Sequence, residues 1–446
     1  MKIEIRTVGG YSEVGKNMTA IRVGNEVIIC DMGFHLPSLI SYEEDLEGDV
    51  REKLNAQELI HIEAIPDDSL IEDWKPLVKA IIPSHCHLDH IGAIPYLAPD
   101  YNCPVYGTPY TLKILKKILS DEKIKVPNKF ISVQLGKKIQ ISKNIYVEFV
   151  SMTHSTLQVA TLAIHTPAGI IVYANDFKLD NHPVLGKKLD YNKLKMLGKK
   201  GVKLLIMDSL YSNYKMKTPS ERVAKELLRD IMLNINSEKK AVVVTTFASH
   251  ISRLSSILKY GKKMKRKVVF LGRSLHKYIK VAESLDLIKF GEQAKIIGYS
   301  RQIMNELGKI MKNKEKYLIV CTGNQGEPGS ILQRMVMGET PFKFEKEDIV
   351  IFSCTTIPSS MNKANREVME NKLKKKGVRL FLDIHVSGHG AREDHREMIN
   401  MLKPEHIIPS HGDFKKVAPL VDLATEMGYG SKNVHLLKDG QSLDID

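Results

Sequence analysis

Ser84-His85-Cys86-His87-Leu88-Asp89-His90 is the stretch on which the reading of this chain turns. It places three histidines and an aspartate between positions 85 and 90, too dense for an ordinary turn. The apolar run over 77–82 that precedes it reads as a buried strand. A strand running into a ligand-bearing loop gives a metal site the rigid base it needs. His85 and His87, two apart, can chelate one divalent ion. Asp89 and His90 continue the same loop and can turn towards a second. A His-rich surface loop without metal is the plain alternative, and this spacing disfavours it.

Upstream, residues 2–8 alternate as a strand leading into Gly9-Gly10, and segments 18–23 and 26–30 form a hairpin around Gly24-Asn25. Asp31 closes the second of these strands. A carboxylate there either caps a turn or orients a metal ligand from behind, and the residue alone leaves both open. Residues 37–76, acid-rich and holding the single tryptophan Trp74, read as a surface excursion. Downstream, 91–97 and 110–119 read as helices. Strands follow over 131–135, 139–141, 145–150, 159–165 and 170–174. Two strand ends carry metal-type residues, His154 after 147–152 and Asp176 after 171–174. Either alone would be a turn residue; beside the His-rich loop they supply the missing ligands.

From about 209 the texture becomes alternating helices and strands, which implies a mostly parallel sheet. Helices are expected over 220–234, 249–259, 275–285 and 361–374, with strands over 241–245, 267–271, 317–320 and 349–353. The chain's formal charge of +14 is concentrated here. Residues 209–384 hold 34 Lys and Arg against 17 Asp and Glu, while the remainder holds 32 against 35. A basic region on an otherwise balanced chain favours a nucleic-acid partner over a general solubility effect. The last section returns to ligand-type residues. His385-Val386-Ser387-Gly388-His389-Gly390 is followed by Ile407-Ile408-Pro409-Ser410-His411-Gly412, where His411 again follows a short apolar strand.

At 446 residues two domains are expected. The simplest architecture is a metal-binding αββα core made from both ends of the chain with the basic α/β region inserted. Insertion explains why ligands at 85–90, 154 and 176 need a partner as distant as 411. Five scattered cysteines, Cys30, Cys86, Cys103, Cys321 and Cys354, read as reduced and point to the cytoplasm. Cys86 is expected to turn inwards and pack. The sequence has no signal-like start and no apolar run long enough for a membrane span.

The ligand inventory suits two ions: His85, His87 and His154 on one, Asp89, His90 and His411 on the other, with Asp176 between. Imidazole and carboxylate without thiolate favour Zn²⁺, with Mn²⁺ as the competitor. Two such ions lower the pKa of water and neutralise charge on a phosphate undergoing displacement.

Asp31, the H-x-H-x-D-H loop, His154 and Asp176 resemble the successive motifs of the metallo-β-lactamase fold. The insert and the later motifs resemble its nucleic-acid-processing β-CASP branch, and within it the ribonuclease J family. That likeness rests on four runs. They are Gly9-Gly10-Tyr11-Ser12-Glu13-Val14-Gly15-Lys16-Asn17, Asn175-Asp176-Phe177-Lys178, Thr322-Gly323-Asn324-Gln325-Gly326-Glu327-Pro328 and the HVSGHG run from His385. It implies a metallo-β-lactamase sandwich over 1–208 and 385–446, with the β-CASP domain over 209–384. It also implies roles. Asp208, after a strand over 204–207, supports the active site. His389 stabilises or protonates the leaving oxygen, and Asp89 and Asp176 share in catalysis as well as in metal binding. His385 and Ser387 hold the scissile phosphate. Phe247, Ala248 and Ser249 with Gly272-Arg273-Ser274 build a pocket for the nucleotide and a 5′-monophosphate.

The function this implies is a two-zinc ribonuclease leaving a 5′-phosphate and a 3′-hydroxyl. Its main mode would be 5′→3′ exonuclease action on single-stranded, 5′-monophosphorylated RNA, in RNA decay and maturation. An endoribonuclease of 3′-end or tRNA processing is the second reading. A non-catalytic RNA-binding subunit is a third, which the full ligand set argues against. A small-molecule hydrolase needs no basic insert of this size. The sequence ends at Asp446, so the separate C-terminal domain of bacterial members is expected to be absent. This gives it an archaeal look and leaves the mode of any homodimer open.

Overall fold

The computed structural model describes residues 2–45, 54–357 and 360–446, with no side-chain description over 43–45. The chain divides into two compact units. One comprises Met1–Asn181, Lys187–Thr218 and Gly388–Asp446, and the other His182–Gly186 and Pro219–Ser387.

The first unit is a sandwich of two sheets. Its seven-stranded sheet runs in the order Ser442–Ile445, Ile3–Gly9, Met18–Val23, Glu26–Cys30, Val78–Ile82, Val105–Gly107, Phe130–Ser132. The six-stranded sheet runs His406–Ser410, Val202–Asp208, Gly169–Ala174, Val159–Thr166, Tyr146–Met152, Lys138–Gln140. Runs such as Val27-Ile28-Ile29 and Leu204-Leu205-Ile206-Met207 are apolar at every position because both faces of these strands are covered. Ile5, Ile28 and Ile82 meet Phe149, Leu162, Ile171 and Ile206 between the sheets. On the far side of the second sheet, Val172, Leu205 and Met207 pack against three helices, Tyr191–Lys200, Arg392–Leu402 and Phe414–Glu426. Each of these helices buries an apolar stripe at helical spacing, as with Leu194 and Leu197 or Leu420 and Leu423.

Register decides where the site forms. Val202–Asp208 pairs in parallel with both neighbours, setting Met207 opposite Ala174 and Asp208 opposite Ser410. The residues that follow, Asn175-Asp176 and His411, therefore leave the sheet at the same edge. In the first sheet Cys30 lies opposite Ile82 in a parallel pair, so Asp31 and the His-rich stretch emerge together.

The second unit has a six-stranded, all-parallel sheet in the order Lys295–Ile297, Lys267–Leu271, Tyr317–Cys321, Val242–Thr245, Ile349–Phe352, Arg379–Phe381. Its core joins Val243, Leu271, Ile319 and Phe352 to helix residues such as Leu307, Met335 and Met369.

Several expectations need correction. The segment 91–97 is not one helix. Leu88–Ile91 and Ile94–Leu97 are separate short turns, and Asp89 and His90 belong to the first rather than to a continuing loop. Of the segment 37–76, residues 46–53 lie outside those described; the rest includes the helices Leu36–Asp45 and Ala56–His61 and is not all surface, since Ile65, Ile71 and Trp74 are each no more than 1% exposed. The Arg6 guanidinium covers the Trp74 ring at 4.0 Å, a contact that ties the chain there to the first strand. The strand over 131–135 is only Phe130–Ser132.

Candidate metal centre

His85, His90, Asp176 and His411 are each no more than 1% exposed, a degree of burial that ionisable side chains reach only with partners. Their partners are one another. His85 Nε2 lies 2.9 Å from His87 Nδ1, and His154 Nε2 3.2 Å from the same atom. Asp176 Oδ2 sits among His90 Nε2 at 3.2 Å, His154 Nε2 at 3.4 Å and His85 Nε2 at 3.6 Å. Asp89 Oδ2 is 3.4 Å from His90 Nε2 and 3.9 Å from His411 Nε2. Among the described residues, ligand atoms fall into three sets compact enough for a cation: His85, His87, His154 and Asp176; Asp89, His90 and His411; and Asp176, His389 and His411.

The chain aims these side chains by an unusual backbone. Asp31, Asp176 and His411 have φ of 61°, 55° and 62°, in the left-handed region that non-glycine residues rarely adopt. Each follows directly, or by one residue, the end of a strand. The turn swings the side chain across the sheet edge instead of letting it continue the alternation. Strain of this kind persists where surrounding structure enforces it.

For four imidazoles one ring nitrogen is held from outside while the other faces the centre, the pattern that orients metal ligands. His90 Nδ1 bonds Asp31 Oδ2 at 2.8 Å, His154 Nδ1 bonds the Gly388 carbonyl at 2.7 Å, His411 Nδ1 bonds Asn17 Oδ1 at 3.0 Å and His85 Nδ1 meets Ser84 Oγ at 3.0 Å. Asp31 performs both tasks left open above: it also accepts the Ser84 backbone N–H at 2.7 Å, closing the turn. Gly33 is required beside this loop, since a Cβ there would fall 1.6 Å from the Asp89 carbonyl oxygen.

Burial pushes His85 and His154 well below the ordinary histidine range and His87 down to about 4, so these rings are neutral and able to ligate. His90 behaves oppositely. Burial lowers it, yet Asp176, Asp31 and Asp89 together outweigh that and raise it well above the usual value. Burial likewise opposes the charge on Asp176, and His411, His90 and His389 overcome it. A divalent cation fits the set. Asp176 Oδ1 is buried with no hydrogen-bond partner, and imidazole nitrogens face one another without acceptors between them.

His389 adjoins the cluster, its Nε2 3.9 Å from Asp176 Oδ2 and its Nδ1 2.8 Å from Asp208 Oδ2. Burial lowers its affinity for a proton, but Asp208 and Asp176 prevail and raise it to about 9. Cys86 faces Thr156 Oγ1 at 3.2 Å and belongs to none of the three sets. All five cysteines are free and buried.

In the other unit, Phe247 and Ser249 follow the strand Val242–Thr245, and Gly272-Arg273-Ser274 follow Lys267–Leu271. Parallel register brings both loops, and the Thr322–Pro328 run after Tyr317–Cys321, to the carboxyl edge of the sheet, where open α/β sheets bind ligands. Gly272 has φ +142°, and a Cβ on it would meet the Thr322 side chain at 2.8 Å. His385 sits beside Phe247, ring centroids 6.4 Å apart, and Ser387 closes that unit. Sequence reasoning did not single out Asn17 or Ser84 as site supports. Only the position of Asn17 in the glycine-rich run gave a hint, because hydrogen bonds across 72 and 394 positions leave no local pattern.

Comparison with known proteins bears on the family. Residues 13–176 match the metallo-β-lactamase superfamily, 239–372 the ribonuclease J β-CASP domain, and 379–437 the Zn-dependent metallo-hydrolase RNA specificity domain. Ribonuclease J of Methanocaldococcus jannaschii is 47% identical over 449 residues, spanning 100% of this chain and 99% of the relative. The chain belongs to the ribonuclease J family. The Pyrococcus abyssi member is 44% identical, with 99% and 97% covered, while that of Helicobacter pylori strain 26695 is 32% identical and matched over only 61% of its length. A crystal structure of a protein of unknown function from Enterococcus faecalis V583 shares the fold over the whole of both chains, with a TM-score of 0.67 at 18% identity.

Proposed function

We propose that the chain is a metal-dependent ribonuclease that hydrolyses RNA phosphodiester bonds to 5′-phosphate and 3′-hydroxyl ends. The observation that carries this is the convergence of His85, His87, His154, Asp176, Asp89, His90 and His411 on one buried locus in a member of the ribonuclease J family. Two Zn²⁺ ions, or Mn²⁺ in their place, suit this donor set of nitrogens and carboxylate oxygens without sulfur. Bound there, the ions supply Lewis acidity towards water and the scissile phosphate. As water bonds to phosphorus and the P–O bond breaks, His389 gives an Nε2 proton to the departing 3′-oxygen, with Asp208 Oδ2 holding the ring at Nδ1.

Mainly 5′→3′ exonuclease action with a preference for a 5′-monophosphate is the mode we assign, with Phe247, Ser249, Arg273 and Ser274 holding the terminal nucleotide and its phosphate. His385 and Ser387 contact the phosphate being cut. The lysine-rich middle region supports binding of single-stranded RNA by charge neutralisation. Free cysteines and the absence, among the described residues, of any helix long and apolar enough to cross a membrane support a cytoplasmic site of action in RNA decay and maturation. A 5′-labelled RNA carrying either a mono- or a triphosphate, and the same RNA circularised, decide the mode. Rapid release of labelled mononucleotide from the monophosphate form alone, with circles intact, is expected. Equal cleavage of circles would replace this mode with an endonucleolytic one.

A further inference from the structure

Arg253, on the helix Ile251–Lys263 of the middle unit, is 0% exposed. Its Nε and Nη2 donate to the two carboxylate oxygens of Glu221 at 2.6 and 2.8 Å, a bidentate pair. Burial alone would neutralise Glu221; Arg253, with His250, overcomes it and holds that carboxyl well below its usual range. The remaining nitrogen points elsewhere. Nη1 donates to the Ser353 carbonyl and hydroxyl oxygens, both at 2.9 Å, and to the Ile384 carbonyl at 3.1 Å. It also reaches His385 Nδ1 at 3.4 Å. Ser353 Oγ passes its own hydrogen on to the Ile384 carbonyl at 2.9 Å, so two residues fix the backbone where the HVSGHG run begins. The Phe247 ring meets the His385 ring at a steep angle of 64°.

A guanidinium has five N–H donors and no lone pair. A ring nitrogen facing it must accept, since an N–H there would set hydrogen against hydrogen. A His385 Nδ1 that accepts from Nη1 leaves the ring's proton on Nε2. The Glu221 contact, complete with Nε and Nη2, leaves Nη1 to hold the Ser353 and Ile384 backbone and to face His385. Buried ion pairs kept only for packing are often replaceable by apolar residues without loss of stability.

We propose that Arg253 is a positioning residue for RNA turnover. It fixes the chain at Ile384 and holds His385 as the Nε2–H tautomer, so the ring offers a phosphate oxygen a hydrogen-bond donor rather than a lone pair. The inference rests on the reading of His385 as a phosphate contact. The glutamate, the arginine, Ser353 and His385 all lie within one compact unit.

Two measurements test it. In the metal-loaded protein with isotope-labelled histidine, two-bond proton–nitrogen NMR correlations report the tautomer of each ring, and His385→Gln identifies the signal. A neutral ring protonated on Nε2 at pH 7 is expected; a proton on Nδ1 overturns the proposal. Steady-state cleavage of 5′-monophosphorylated RNA by Arg253→Gln, His385→Ala and the double variant gives the second test. Each single change is expected to lower kcat/KM by about 10²-fold, as misplaced contacts do. The double variant should be no worse than His385→Ala, because coupled residues are not additive. Losses that multiply overturn the role of Arg253 alone. A wild-type rate in His385→Ala overturns the phosphate reading of His385 and with it the purpose assigned to Arg253. The cycle is repeated in a Glu221→Gln background, where removing Arg253 strands no buried charge, so a folding defect does not masquerade as loss of positioning.

Discussion

Replacing Asp31 by asparagine separates the two tasks of that carboxylate. Asp31 Oδ1 accepts the Ser84 backbone N–H at 2.7 Å. Oδ2 accepts from His90 Nδ1 and the Tyr173 hydroxyl, both at 2.8 Å, and from Ser84 Oγ at 3.1 Å. Burial first, and then Asp31, raises Tyr173 well above the usual phenol range, so that hydroxyl is a donor. An asparagine has one accepting oxygen and an NH₂ group that only donates. With its oxygen in the Oδ2 position, the NH₂ confronts the Ser84 N–H. With the groups exchanged, the NH₂ confronts His90 and drives the ring's proton onto Nε2, the atom that faces Asp176 and Asp89. In both cases His90 loses its anionic partner. Removing a carboxylate from behind a metal-binding imidazole costs about 10–100-fold in metal affinity, or roughly 1.4–2.8 kcal/mol. Competition with a chromophoric chelator measures this, using zinc and manganese on wild type and Asp31→Asn. RNA cleavage is followed over the same range of added metal. Weaker binding in that range, with cleavage restored by excess metal, is expected. A folded Asp31→Asn protein with unchanged metal affinity would refute the orienting role and leave Asp31 as a turn closure.

Asp208→Asn should lower kcat by about 10²–10⁴-fold, the usual worth of a general acid, with KM little changed; an unaltered kcat in single-turnover cleavage would remove His389 from proton transfer. Gly33→Ala forces a methyl group against the Asp89 carbonyl and should destabilise by about 3 kcal/mol, the upper end for overpacking; a melting temperature like that of wild type would contradict the contact. Glu13 is pushed up to about 7, chiefly by burial and then by the neighbouring Asp439, against the pull of Lys16. The folded protein then keeps a proton that the unfolded chain releases above 4.5. This group's stabilisation is complete below pH 4.5 and lost as the pH rises to about 7. Chemical denaturation across that window should show a flatter slope for Glu13→Gln; an identical slope would argue against the shift. Chelation of the metal-loaded protein should lower its melting temperature, by about 2.7 kcal/mol of stability when free metal had stood at a hundredfold over Kd.

Much of the core was legible because its parts are local. A run such as Ile81-Ile82 before Ser84-His85 announces both strand and loop, and the hairpin over Met18–Val23 and Glu26–Cys30 follows from two strand-like runs joined at Gly24-Asn25. The helices Tyr191–Lys200, Ser300–Met311, Arg392–Leu402 and Phe414–Glu426 were not anticipated. Their apolar residues are spaced among many charges and declare a face only when packed on a sheet. Trp74 was misread for a related reason: charged neighbours suggest a surface, while its cover is Arg6, 68 positions away. At the site, residue types and strand-end positions pointed to the seven candidate ligands. The left-handed turns at Asp31, Asp176 and His411 carry no sequence mark, since aspartate and histidine are as common at ordinary strand ends. The supports Asn17, Tyr173 and Arg253 are invisible for the same reason, each acting through hydrogen bonds to residues far away in the chain.

Elemental analysis combined with single-turnover cleavage of 5′-monophosphorylated RNA, on wild type and on the Asp176→Ala plus His87→Ala protein, probes the central claim most directly. Two equivalents of divalent metal per wild-type chain are predicted, with at most one in the folded double variant and cleavage slowed by more than about 10³-fold. A folded double variant that cuts RNA at the wild-type rate would contradict the account.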